Sequence, residues 1–146
     1  MKTSEKKSFR VPVAIRKFGR FLVVLSITCQ MQLSHAADSV SSGKALYVSL
    51  ACASCHAVGP GARAGFGPQL NGVFGRVAGS TIDYKERYSV AMKQSGIVWS
   101  EQTLTKFINS PSDLVPGTKM RFWGLSDKKK VADLLAYLRS FPVDPK

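Results

Sequence analysis

The 146-residue chain carries 21 Lys and Arg against 9 Asp and Glu, a formal charge of +12, and a length of this order allows one small domain and excludes a multidomain enzyme. The charge is unevenly placed: residues 1–36 hold seven Lys and Arg and only Glu5, so residues 37–146 carry 14 against 8, or +6. That balance suits acidic partners, and with no nucleic-acid motif beside it gives no reason to expect nucleic-acid binding.

Residues 1–36 divide into a basic stretch from Lys2 to Arg20, an apolar stretch of 13 residues from Phe21 to Leu33 broken by Gln30 and Gln32, and the small-residue ending Ser34-His35-Ala36. This is the layout of a secretory signal. The apolar stretch is short of the roughly 20 residues of a spanning helix, so cleavage after Ala36 is expected rather than retention as an anchor, with no stable membrane insertion. Cys29 leaves with the leader. Residues 37–146 then form a single domain in an oxidising compartment, the periplasm or its equivalent.

A helix is predicted from Asp38 to Ala51, capped by Asp38 or Ser39, with Val40, Leu46, Tyr47 and Leu50 as candidate buried positions. Gly43 lies one turn before Tyr47 and is read as the contact point for another helix, because a helical glycine costs about 1 kcal/mol unless close packing compensates. Seven glycines between Gly59 and Gly79 exclude regular structure there and suggest chain wrapped closely around a rigid object. Phe66, Leu70, Val73, Phe74 and Val77 are spread through the stretch and are expected to seek burial. Shorter helices follow, from about Tyr88 to Ser95, stopped by Gly96, and from about Ser100 to Asn109, with Leu104, Phe107 and Ile108 on one face and Pro111 beyond the end. After a loop to Gly124, the last helix starts at Ser126 or Asp127, and Val131, Leu134, Leu135 and Leu138 make one apolar stripe before Phe141-Pro142. No strand alternation and no internal repeat is found.

The chemistry lies in Cys52-Ala53-Ser54-Cys55-His56, which holds both cysteines and the sole histidine of residues 37–146. Cys-x-x-Cys-His is the signature of covalent haem attachment. Each thiol adds across one haem vinyl group, and positions i, i+3 and i+4 share a helical turn that delivers His56 beneath the iron. A redox dithiol would sit beside a βαβ pattern, which is absent, and zinc would need further nitrogen or sulfur ligands that the domain lacks. A haem also gives so short a chain an apolar interior to fold against. For the opposite face of the iron the residues leave two candidates: Met92, within a helical segment and open to a core-filling role, and Met120, at the end of the turn Pro116-Gly117-Thr118-Lys119-Met120.

Together with the haem motif, the segments Gly67-Pro68-Gln69-Leu70-Asn71-Gly72-Val73-Phe74-Gly75-Arg76, Trp99, Pro116 to Met120 and Asp133-Leu134-Leu135-Ala136-Tyr137-Leu138 closely resemble class I c-type cytochromes, the small soluble cytochromes c of the mitochondrial and bacterial type. The resemblance runs from Gly43 to Arg139. It implies an all-α cytochrome c fold of three main helices and shorter ones around one covalent haem c. It further implies thioether links at Cys52 and Cys55, axial ligands His56 and Met120, and the Pro68 carbonyl accepting the His56 ring N–H. Arg76, Tyr88 and Trp99 match positions that bond or neutralise a haem propionate, Phe107, Thr118 and Phe122 belong to the haem environment, and Gly43, Tyr47, Leu134 and Tyr137 match the contact of first and last helices.

Two departures from the family pattern stand out. Tyr47 precedes Cys52 by five residues, one more than usual, which predicts a kink or shift in the first helix. Phe107 replaces a tyrosine whose hydroxyl bonds the methionine sulfur in mitochondrial relatives.

With both axial positions filled, the expected work is outer-sphere electron transfer by a monomeric carrier rather than catalysis. Lys119, Arg121 and Phe122 flank the methionine loop, and Lys44, Lys93 and Lys106 extend a basic rim suited to acidic docking surfaces. The expected partners are a quinol-oxidising complex or dehydrogenase as donor and a terminal oxidase or photosynthetic centre as acceptor. The competing readings are the haem subunit of a periplasmic oxidoreductase, and a peroxidase or gas sensor with a labile sixth ligand. Lys128-Lys129-Lys130 fits a solvated first helical turn as well as a docking role.

Overall fold

The computed structural model describes residues 36–142. The leader expected over residues 1–36, with Cys29, lies outside the described residues except for Ala36. Among the described residues the architecture is helical. Helix α1 spans residues 36–49, α2 Val90–Gln94, α3 Glu101–Asn109, α4 Pro111–Leu114 and α5 Lys128–Arg139, with tighter 3₁₀ turns at Cys52–Ser54 and Ile82–Arg87.

The three longer helices are α1, α3 and α5. Each of the last two is capped as its sequence dictates: Ser100 and Thr103 form a reciprocal capping pair at α3, and the Asp127 carboxylate accepts from Lys130 N at α5. Leu104, Phe107 and Ile108 of α3 and Val131, Leu134, Leu135 and Leu138 of α5 are buried together with Tyr47, Val73, Met92, Trp99 and Val115. The ion pair from Arg139 to Glu101, at 3.0 Å, runs between exposed faces of α5 and α3. Exposed pairs of this kind contribute only about 0.2–1 kcal/mol.

Gly43 is the contact point its sequence context predicted. A Cβ there would collide with the Asp133 carbonyl and lie 2.7 Å from Tyr137 Cβ. The absent side chain thus lets α1 lie directly on the α5 backbone, and one turn later Tyr47 and Tyr137 pack with ring centroids 5.4 Å apart. Asp133, buried at this crossing, is held by Lys129 at 2.6 Å, so part of the lysine run braces α5.

The helix predicted to continue to Ala51 stops earlier. Ala51 has φ +58°, the one non-glycine residue with positive φ among the described residues, and the left-handed conformation disfavours any Cβ. This break absorbs the additional residue between Tyr47 and Cys52, so the haem motif starts a separate turn instead of extending α1. Other differences are local. Tyr88 and Ser89 are extended, and α2 begins only at Val90 because the Ser89 side chain caps it at Met92 N. Pro111 does more than stop α3: its fixed φ and missing N–H suit a first helical position, and it starts α4. Phe66 is 81% exposed and Val77 50% exposed, against the burial expected of them, while Val73 is buried.

The glycine-rich stretch is irregular but closely tied. The Asn71 side chain brackets Gly59, accepting from its N and donating to its carbonyl, both at 2.8 Å. Gly72 N donates to the Phe141 carbonyl at 2.7 Å and Arg139 lies over the Phe74 ring, fastening the stretch to the end of α5. Among the described residues, strand-like pairing is confined to an isolated bridge between Val77 and Val98.

Two substitutions test this account in opposite directions. Gly43→Ala should lower stability by about 1–3 kcal/mol, as overpacking does, and Ala51→Gly should raise it by about 1 kcal/mol by relieving the left-handed Cβ. Urea unfolding midpoints of the folded domain measure both.

Candidate functional site

The turn after α1 is a true single turn: Cys55 N and His56 N both donate to the Cys52 carbonyl, at 3.1 and 2.9 Å. Of the two thiols, Cys52 is half-buried and Cys55 exposed. Burial pushes the Cys52 thiol up before attachment, against a backbone hydrogen bond that lowers it.

His56 is built into place by chain from the glycine-rich stretch. Gly67 N donates to the Cys55 carbonyl at 2.8 Å and Leu70 N to the Ala57 carbonyl at 2.9 Å, which lays residues 67–70 beside 55–57. Pro68 therefore presents its carbonyl to the ring, and His56 Nδ1 donates to it across 2.7 Å. Gly67 supplies the room. A Cβ there would come within 2.5 Å of His56 Cε1 and 2.7 Å of Nδ1, so the imidazole rests on bare backbone. Tyr47 Oη donates to the His56 carbonyl at 2.6 Å, tying α1 to the same residue.

These contacts define the ring chemically. With Nδ1–H committed to Pro68, the lone pair lies on Nε2. Burial lowers the His56 pKa, opposed by the Pro68 hydrogen bond, and keeps the ring in the neutral form that ligates metal. Among the described residues no group of three or more His, Cys, Asp or Glu is placed to hold a bare metal ion. A lone neutral imidazole and two thiols on one turn fit a metal whose remaining ligands come from a macrocycle, as in haem.

The predicted second-ligand region is a loop. Thr118 N donates to the Val115 carbonyl at 2.9 Å and Thr118 Oγ1 accepts from Met120 N at 3.3 Å, fixing the turn that carries Met120. Met120, Phe122 and Leu70 are half-buried against the core. Met92 is fully within it, the core-filling role left open above.

The remaining predicted residues converge on an unpredicted one. Gly75 N donates to the Trp99 carbonyl and Trp99 N to the Arg76 carbonyl, at 2.7 and 2.9 Å, which brings these segments together. Arg76 Nη1 donates to the Gln69 carbonyl at 3.2 Å and to Thr81 Oγ1 at 2.9 Å, and Tyr88 Oη donates to the same hydroxyl at 2.9 Å. Thr81 is buried. Desolvation lowers the Arg76 pKa and raises that of Tyr88, the setting in which an anion would be drawn to both. Trp99 and Phe107 pack with centroids 5.0 Å apart. Thr81 carried no sequence signal, since a threonine in a polar loop reads as surface. Asn71 lay within the segment of family likeness, but its bracket on Gly59 joins positions twelve apart. Of the basic rim, Lys44, Lys106, Lys119 and Arg121 are exposed, while Lys93 faces Glu86 at 3.8 Å.

A helical domain with this turn, and an imidazole fixed by a proline carbonyl, belongs to the class I c-type cytochromes. Residues 40–142 match the family model described as Cytochrome c. A cytochrome c2 of Blastochloris viridis is 40% identical over 127 residues, covering 87% of this chain and 93% of the relative, and one of Afifella marina is 43% identical over 110 residues, covering 73% and 86%. Cytochrome cH from Methylobacterium extorquens superposes with a TM-score of 0.62 at 38% identity, covering 69% of this chain and 97% of that one. The chain belongs to the cytochrome c family, whose members are electron-transfer proteins, and it binds one covalently attached haem c.

The Tyr47 hydroxyl gives this site a pH dependence. Burial, the largest cause, pushes the phenol well above its ordinary value of 10.0. A pKa raised by folding means stability that is complete below about pH 10 and is lost as the pH rises above it. Tyr47→Phe should cost about 1 kcal/mol at neutral pH, the worth of one hydrogen bond, and should flatten the fall in unfolding midpoint above that pH in the haem-loaded protein.

Proposed function

We propose that the protein is a periplasmic carrier of single electrons whose haem is attached through Cys52 and Cys55 and ligated axially by His56 and Met120. The observation that carries the ligand assignment is the 2.7 Å bond from His56 Nδ1 to the Pro68 carbonyl, which aims a fixed, neutral imidazole from the turn that bears both thiols. Bound haem supplies an iron that changes oxidation state by one electron. The protein's part is to hold that metal closed to reactants and set its preference for the reduced state.

His56, held by Pro68, is a stronger donor than a freely rotating imidazole. Met120 offers a neutral, soft thioether, and a His/Met pair raises the potential relative to two imidazoles. Arg76 would neutralise a haem propionate that would otherwise be a costly buried charge, with Tyr88 and Trp99 as its neighbours. Phe107, buried against Trp99, presents a ring with no hydroxyl, so no donor competes for the methionine sulfur. Thr118 fixes the methionine turn, and Phe122 adds an apolar wall.

The exposed Lys119 and Arg121 suit acidic docking surfaces on a quinol-oxidising complex or dehydrogenase and on a terminal oxidase or photosynthetic centre. Export is supported by the basic, apolar and small-residue layout of residues 1–36. The described residues contain no helix long and apolar enough to cross a membrane.

Optical spectra test the ligand set. The oxidised protein should show the weak long-wavelength band of iron bound by methionine sulfur; Met120→Ala should abolish it and, once reduced, admit carbon monoxide, whereas Met92→Leu should leave the band intact. Phe107→Tyr should raise the midpoint potential, because a hydroxyl donating to the sulfur draws electron density from the oxidised iron. An unmoved potential would remove Phe107 from the haem environment.

A further inference from the structure

The loop that carries Met120 is pinned at both ends. The Val115–Thr118 and Thr118–Met120 bonds hold one side, and on the other Leu125 N donates to the Ile108 carbonyl at 3.0 Å. Gly124, at φ +102°, lies so close to the Asn109 carbonyl that a Cβ would collide with it. Phe122 and Leu125 pack against the core, and Trp123 between them turns outward. It is 104% exposed, against 8% for Trp99.

An indole held in water on a fixed backbone forgoes about 2–3 kcal/mol of burial, with no contact inside the domain to offset it. Lys119 and Arg121 beside it are exposed, and Lys119 Nζ reaches the Arg87 carbonyl at 2.9 Å, which brings a further exposed arginine into the neighbourhood. Tryptophan and arginine are the side chains most often found to dominate binding energy, typically at the centre of an interface that excludes water.

We propose that Trp123 is the apolar anchor of a docking face whose basic rim is Lys119 and Arg121, and that its occupant is the acidic surface of an electron-exchange partner protein with an apolar depression that receives the indole. The inference rests on the carrier reading and deepens it: charge brings the partners together, and Trp123 sets how long they stay. The anchor stands three residues from Met120, so a partner seated on it lies against the methionine loop. An anionic lipid surface would be attracted by the same charges and is an outcome of the test.

The test uses the haem-loaded protein with a purified quinol–cytochrome c oxidoreductase as donor and a purified haem–copper oxidase as acceptor, each followed by stopped flow across a range of salt. Trp123→Ala should lower the second-order rate constant with at least one of them about tenfold, while midpoint potential and visible spectrum stay as in the wild type. Trp123→Phe should restore most of the rate, and Arg121→Gln should flatten the salt dependence. Unchanged rates for Trp123→Ala with both complexes overturn the anchor and leave the carrier reading standing. Wild-type protein that ferricyanide oxidises but neither complex oxidises or reduces overturns the carrier reading and the anchor with it. Trp123-dependent co-sedimentation with protein-free phosphatidylglycerol vesicles at physiological salt assigns the face to lipid and overturns the proposed occupant.

Discussion

The hydrogen bond between the His56 ring and the Pro68 carbonyl organises the site end of this molecule. It needs a carbonyl aimed at a ring from a segment twelve residues away. That aim is set by the backbone bonds that lay residues 67–70 beside 55–57 and by the bare Cα of Gly67 under the imidazole. Tyr47 closes the arrangement from α1 by holding the carbonyl of the same histidine. Three parts of the chain thus meet at one residue. Its tautomer, its neutrality and its direction follow from packing before any metal is considered.

Local chemistry was legible in the sequence wherever a short-range rule governs it. The stripe Val131, Leu134, Leu135 and Leu138 gave α5, the serine before Glu101 gave the start of α3, and the cysteine and histidine spacing gave the haem turn. Gly43 was readable as a helix contact because a helical glycine needs a reason. What escaped depended on partners distant in sequence or on a single dihedral angle. Thr81 gains its role from two donors on different segments. Ala51 enters the left-handed region, where composition favours glycine, because the spacing from Tyr47 to Cys52 forces a break. Phe66 was expected inside on hydrophobicity alone, yet the segment holding it is fixed through its backbone, by the Tyr84 hydroxyl on its carbonyl, and the ring is left outside.

Two groups of cations close in sequence are used differently. The lysine run at the start of α5 is partly consumed by the structure, since Lys129 neutralises the buried Asp133. The cations of the methionine loop face solvent. Net charge alone would not have separated Lys129, tied to Asp133, from the exposed cations of the methionine loop.

The crossing of α1 over α5 joins Gly43 to Asp133, residues near opposite ends of the domain. A chain emerging from a ribosome or threading through a translocation channel cannot make this contact until its last helix is present. Until then α1 has no surface to lie on, and the two helices cannot pair. The topology thus makes the pairing of α1 with α5 a late, long-range step of folding.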